Sequence, residues 1–456
     1  MKVLKTKFTS TITYQLRYVL LYIIIGALLL GSIVAMPELQ GMRLSDAERA
    51  SALISTSPDL HLVNFPYHLL QGLSINLLDM TPLAIKLPSI VLGVITAVLM
   101  TLLLNRWYRN LTAFTATTLV VSSVAFLALT GSGTPSILYI LFPVLMLWLG
   151  SQIIDEEPKV MTVVALSIAA IISIFIPYMI YFNVALFLLV FTHPHLRFSL
   201  HRVPKRAVVV AVLVVLAALV PLFFFVPNFN FWDLVGPNLQ IAQNASTAWK
   251  QIFGFGEPLS WFSLPLMILA LIGIYATILD YHIARNHIVF VLILVSVLAS
   301  LFFPPLFMIA ILLITMLIGN GLGFLIRNWR GIFPHNIYAT LIALMPLVAF
   351  CLLIAVGSIN FFYIAPRTIS RVHYDANTDF QLLEENIEEK DTLIISHFTD
   401  FYAQAFPDNE THDSYSPESQ NGGRIISDRP LTTDRRLEKI ITNSSATQAA
   451  RFYVYR

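Results

Sequence analysis

Two carboxylates set two residues apart, Asp46 and Glu48, lie in the stretch Leu44-Ser45-Asp46-Ala47-Glu48-Arg49-Ala50. Either acid could act as general base on a hydroxyl that attacks a donor presented at a membrane surface. On a helix this spacing turns the two side chains about 200° apart, so they cannot share one role. The same stretch also suits an interfacial helix capped by Ser45, with a solvated acidic first turn. Arg43, Arg49 and Lys86 carry permanent positive charge and suit a phosphate, although Lys86 also stands where a lysine snorkels out of a bilayer. His61 and His68 could each meet a phosphate or a metal. Their spacing matches no compact ligand motif, and isolated histidines commonly serve packing or surface roles. Farther along, Trp232, Asp233, Trp249, Lys250, Glu257 and Trp261 could line a sugar pocket, since aromatic faces stack on sugar rings. An aromatic belt at the membrane boundary accounts for such tryptophans as well.

The chain that must position these groups has 456 residues, 57% hydrophobic and 12% charged, with a mean hydropathy of +0.75. Soluble domains are about 45–50% apolar and about 25% charged, so the class is a polytopic all-α membrane protein. A net charge of +2 without a basic tract gives no nucleic-acid partner. Cys351, the one cysteine, falls in an apolar run, so disulfides take no part in the fold. No Walker loop, dinucleotide fingerprint, HExxH or CxxC pattern occurs.

Hydropathy predicts about eleven spans of roughly 18–20 residues. The first seven fall near Tyr18–Ala35, Ile85–Leu104, Leu111–Leu129, Ser136–Gly150, Val160–Ile176, Tyr178–Phe191 and Ala207–Val226. An eighth ends near Asp280, two more meet at Pro304-Pro305, and the last covers Ile337–Val356. Pro177 leaves one long kinked helix as an alternative to the fifth and sixth. Basic residues in alternate loops, among them Lys2, Lys5, Arg106, Arg197, Arg285 and Arg327, place the N-terminus in the cytoplasm. Residues 1–359 then form the membrane module, with outer loops at 37–85 and 227–261. Residues 360–456 form a small α/β lobe on the outer side, marginal in size and expected to pack on the outer loops. Within it the patterns predict helices over Asp379–Glu389 and Thr432–Ile441, strands over Thr392–Ser396 and Phe452–Tyr455, and a loop over Pro407–Gly423. A transporter would place ionisable residues near mid-membrane, whereas these spans are nearly free of charge.

Four motifs follow one another in order. They are Asp46-Ala47-Glu48-Arg49-Ala50-Ser51-Ala52-Leu53, Asn64-Phe65-Pro66-Tyr67-His68, Lys86-Leu87-Pro88-Ser89 and Gly133-Thr134-Pro135-Ser136. Over about 130 residues this order and spacing resembles the glycosyltransferase family 39 and aminoarabinose transferase group, membrane enzymes of the GT-C fold. That group has an Asp-Glu-Ala-Arg-Tyr-Ala-like helix after the first span and a Lys-Pro-Pro-Leu-Tyr-Tyr-Trp-like stretch. An Arg-Leu-Pro-Ser start to the next span and a Thr-Pro-Asp turn follow. The resemblance implies an inverting transferase that moves a sugar from a polyprenyl-phosphate carrier to a lipid, glycan or protein acceptor. The reaction would run on the outer face of the plasma (inner) membrane, with Asp46 as general base and Glu48 as its catalytic neighbour. Arg43, Arg49, His68 and Lys86 would bind the donor phosphate, and His61, Trp232, Asp233 and Glu257 the sugar or acceptor. No cofactor and no metal-ligand set is implied with certainty, and a divalent metal is compatible with such a donor. Two positions depart from the pattern, Asn64 for the group's lysine and Ser136 for its second acid. They give the alternative of a catalytically silent GT-C relative serving as a membrane-anchored binding or assembly subunit.

Overall fold

Caps and prolines set the first helices. Ser45 opens α1 (Asp46–Thr56) with a capping box: its hydroxyl accepts from the Glu48 N–H while the Glu48 carboxylate accepts from the Ser45 N–H. Pro66 stands in the first turn of α2 (Phe65–Leu78) and Pro82 opens α3 (Pro82–Trp107), positions where a missing N–H leaves no bond unmade. Thr81 caps α3 by accepting from the Ala84 N–H. The computed structural model describes residues 44–57, 62–108, 110–155, 160–192, 262–332, 383–384, 386–388, 391–396, 398–415, 423–433, 435–442 and 451–456, with isolated positions between.

The third expected span is not one straight helix. It divides into α4 (Asn110–Val121) and α5 (Val124–Gly131), bent by 62°. The cause is local: the Ser122 and Ser123 hydroxyls donate to the Leu119 and Val120 carbonyls, and Ser123 then caps α5 by accepting from Phe126. A 3₁₀ turn at Pro135–Ile137 leads into α6 (Leu138–Asp155). α7 (Val160–Ile174) and α8 (Met179–Thr192) are separate helices on either side of Pro177, with Tyr178 at φ 64° between them. α9 (Leu264–Leu279), α10 (Ala284–Phe302) and α11 (Ile309–Ile332) complete the described bundle.

Among the described residues, four helical stretches are long and apolar enough to cross a bilayer: Pro82–Trp107, Pro135–Ile154, Ala284–Phe302 and Pro304–Trp329. The bent α4–α5 pair makes a fifth if taken as one span, and α7, α8 and α9 are shorter apolar helices. The span expected near Tyr18–Ala35 lies outside the described residues, and those near Ala207–Val226 and Ile337–Val356 do so except at isolated positions. α9 and α11 approach closely through glycine: a Cβ on Gly321 would stand 2.5 Å from the Leu269 carbonyl oxygen, and one on Gly273 would overlap the Leu317 backbone.

The polar last quarter builds a sheet in the order β2-β1-β3-β5-β4. Here β1 (Thr392–Ile394), β2 (Glu410–His412) and β3 (Ile425–Ser427) are parallel, and β5 (Arg451–Tyr455) pairs antiparallel with β3 and with β4 (Leu437–Thr442). α12 (Thr399–Ala405) follows β1. Two expectations need correction. The helix expected over Thr432–Ile441 is instead the approach to β4 and most of that strand, because β-branched Ile440, Ile441 and Thr442 favour a pleated partner and find one in Tyr453, Phe452 and Arg451. The expected loop over Pro407–Gly423 contains β2, a strand of three residues and too short to show alternation.

The sheet does not stand apart from the first loop. One apolar core unites Leu44, Ala52, Ile75 and Ile85 with Leu393, Phe401, Ile426 and Val454. The Thr56 hydroxyl adds a 2.8 Å bond to Gln404 Oε1.

Candidate active site

The site lies where α1, α2 and the first turn of α3 meet the turn before α6. Glu48 is at its centre, its side chain only 6% exposed. One carboxylate oxygen accepts from the Ser45 N–H at 2.7 Å and the Ser45 hydroxyl at 3.0 Å. The other accepts from the Gly133 N–H at 2.7 Å and stands 3.6 Å from the Lys86 ammonium, which is 3% exposed. A buried charge survives only when paired and hydrogen-bonded, and Glu48 meets both conditions. Gly133 is required here because a Cβ would fall 2.7 Å from Ile85 Cγ2 and 3.1 Å from the Ile85 carbonyl oxygen.

Gln71 is the second fixed point. It is fully buried, and its amide donates to the Ile85 and Gly133 carbonyls at 3.0 Å each. Its oxygen accepts from the Ser51 and Ser55 hydroxyls at 2.8 and 2.7 Å, so both donors and both lone pairs are used. The Ser55 hydroxyl also lies 2.9 Å from His68 Nδ1. Tyr67 reaches the Ser89 hydroxyl at 2.8 Å, and Ser89 in turn donates to the Thr134 carbonyl. Burial pushes the Tyr67 phenol above its usual range, against the Ser89 hydrogen bond. Ser132, Thr134 and Ser136 form a row of hydroxyls 3.0 and 3.2 Å apart along the turn.

Asp46 faces the other way. Its side chain is 47% exposed, and Oδ1 lies 3.4 Å from Arg49 Nη1. Arg49 donates to the Leu44 carbonyl at 3.3 Å, and its guanidinium carbon stands 5.9 and 5.6 Å from the rings of Phe398 and Tyr402. Residues next to the sheet therefore pack against Arg49, the ion-pair partner of Asp46.

Of the residues singled out in the sequence, Glu48, Lys86, His68, Asp46 and Arg49 lie around this small region, with Asp46 and Arg49 on one face of α1 and Glu48 on another. Arg43, His61, Trp232, Asp233 and Glu257 lie outside the described residues. Gln71 and Ser55 were not singled out, and Gly133 entered only as the first residue of its motif. The signal for Gln71 is the inverted pattern of α2, where His68, Gln71 and Ser74 are buried and Leu69, Leu73 and Leu77 are exposed. That pattern suits a helix lying in an interface, with leucines outward and polar groups toward protein. Among the described residues, no three His, Cys, Asp or Glu side chains are grouped so as to hold a metal ion.

The helical bundle with its appended sheet is a GT-C-type fold, and the chain is a multi-pass membrane protein. The crystal structure of ArnT from Cupriavidus metallidurans bound to undecaprenyl phosphate matches it with a TM-score of 0.54 at 12% identity, over 96% of this chain and 97% of that one. The apo state of ArnT from the same organism gives 0.54 at 13%, over 97% and 98%. No protein-family model matches the chain, and no curated protein sequence does.

Proposed function

We propose that the chain is a membrane glycosyltransferase taking a sugar from a polyprenyl-phosphate carrier, with Asp46 as the general base of an inverting displacement. The observation that carries this is the division of labour on α1. Glu48 is sealed among Lys86, Gly133 and Ser45, while Asp46 keeps an accessible carboxylate beside Arg49. An accessible acid can approach an acceptor hydroxyl, take its proton as the oxygen attacks the sugar carbon, and leave the phosphate on the far side. Arg49 and Arg43 flank Asp46 in sequence and are assigned to the donor phosphate, with His68 on the adjoining helix. Lys86 acts through Glu48, holding the loop. That the ArnT structure contains undecaprenyl phosphate supports a carrier of this class.

Sidedness belongs to the same proposal. Lys86 and Arg106 stand at opposite ends of α3, 20 residues and roughly 30 Å apart, about the thickness of a hydrocarbon core. Arg106, Arg285 and Arg327 gather at the second end, which we assign to the cytoplasm. Asp46 and residues 360–456, taken as the lobe, then face outward.

The test is transfer from radiolabelled polyprenyl-phosphate sugars by the purified protein. Asp46→Asn should lower the rate by about 10²–10⁴-fold and leave donor-lipid binding intact. Transfer at the wild-type rate in that variant rejects Asp46 as base. The product should carry the anomeric configuration opposite to the donor.

A further inference from the structure

The last quarter of the chain reaches the assigned base through one arginine. Arg49 is 3% exposed, with Nη1 3.4 Å from Asp46 Oδ1 and Nη2 donating to the Leu44 carbonyl. Its guanidinium carbon stands over two rings of the lobe, Phe398 at 5.9 Å and Tyr402 at 5.6 Å, both within reach of a cation–π contact. The Tyr402 N–H donates to the Phe398 carbonyl, so one helical turn brings both rings to the same side of α12. Phe398 itself sits at φ 58° and ψ 38°, a left-handed conformation that costs a bulky residue energy and that asparagine or glycine adopts more readily. The turn is braced from within the lobe: the Ser396 N–H and hydroxyl both donate to Asp428 Oδ2, at 2.8 and 2.5 Å, tying the end of β1 to the end of β3. An aromatic residue held in a strained conformation points to a use for its ring.

We propose that Phe398 and Tyr402 are positioning residues for the transfer reaction: they hold the Arg49 guanidinium, and Arg49 holds the Asp46 carboxylate in the orientation that meets the acceptor hydroxyl. This rests on Asp46 as base, and adds that the lobe sets the base. On α1 alone, an arginine–aspartate pair three residues apart with a half-exposed acid is weak, and both side chains swing freely. Burying the arginine over two rings fixes one end of the pair, which removes rotamers that would turn Asp46 away from its work. Arg49, assigned above to the donor phosphate, would meet it from this same fixed position. A leucine in place of either ring could fill space, but it offers no ring face to a cation.

The experiment compares full-length Phe398→Asn, Tyr402→Leu and Tyr402→Phe with the wild type in detergent. Labelling of carboxylates by a carbodiimide and glycine ethyl ester, read by mass spectrometry, follows Asp46 without any sugar donor. Asp46 should label about two- to fivefold faster in Phe398→Asn and Tyr402→Leu, the scale of one cation–π contact. Glu48, held by Lys86 and Gly133, should label as in the wild type. At saturating donor those two variants should transfer sugar about 10–10²-fold more slowly, because a small misplacement of a base is amplified in the rate. Tyr402→Phe keeps a ring and should restore most of the rate and the slow labelling. Asparagine suits the left-handed turn, so Phe398→Asn should unfold closer to the wild-type temperature than Tyr402→Leu, whose side chain is fully buried. In Asp46→Asn protein, adding Phe398→Asn should lower the residual rate by less than about twofold, since the route through Asp46 is already lost. Unchanged Asp46 labelling in both ring-removing variants, Glu48 labelling that rises in step, losses that multiply in the double variant, or Tyr402→Phe as impaired as Tyr402→Leu each overturns the proposal. A wild-type protein that transfers no sugar overturns the reading of Asp46 as base instead, and the labelling still decides whether the rings hold that carboxylate.

Discussion

The two ends of the bundle handle buried polarity in opposite ways. Around Glu48 the carboxylate is paired with Lys86, and the bonds run between elements: α1 to α3, α2 to α3, and both to the turn before α6. At the other end the side-chain amides close a compact network, with Asn320 bonded to Tyr108, Thr277 and Asn286. The arginines there surround open volume. One end is a clasp that shapes a loop, the other a rim around a space.

The largest expected effect comes from breaking the clasp. Lys86→Met should destabilise the protein by about 3–5 kcal/mol, because it strands the Glu48 carboxylate. Adding Glu48→Gln should recover most of this, since a glutamine oxygen still accepts from Gly133 or Ser45 while the stranded charge is gone. Thermal unfolding in detergent would read both, and a double variant no more stable than Lys86→Met alone would mean the pair is not the fastener. Gln71→Leu comes next, at about 1–3 kcal/mol for each carbonyl it leaves unmet. Arg285→Gln should cost about 1–2 kcal/mol, since it removes the bond to the Trp107 carbonyl and the contact with the Tyr108 ring. A loss there as large as that of Lys86→Met would erase the contrast between the ends. Smallest of all, Thr56→Ala removes one exposed bond to Gln404 and should shift stability by about 0.5 kcal/mol.

Parts written locally were legible in the chain. Ser45 with Glu48 spells a capping box, Pro82 marks a helix start, and Pro177 separates α7 from α8. The opposite facing of Asp46 and Glu48 follows from helical geometry alone. What escaped depends on distant partners. Leu437–Thr442 becomes a strand because Arg451–Tyr455 lies beside it, and its Arg-Arg-Leu-Glu-Lys approach suits a helix equally well in isolation. Ser122 and Ser123 break an apolar run that hydropathy sees as continuous. Gln71 matters because Gly133, 62 residues on, offers it a carbonyl.

The joint between α1 and the sheet has a consequence in time. Thr56 and Gln404 are 348 residues apart, and the same separation divides most of the core they border. At about 5–20 residues per second of synthesis, α1 waits roughly 17–70 s for the segment that covers it. Throughout that interval Leu44, Ala52 and Ile85 lack the core partners that come from the last quarter of the chain. The exposed leucines of α2 give this stretch a resting place, because a helix lying in the lipid interface is sheltered from aggregation until the last quarter of the chain arrives.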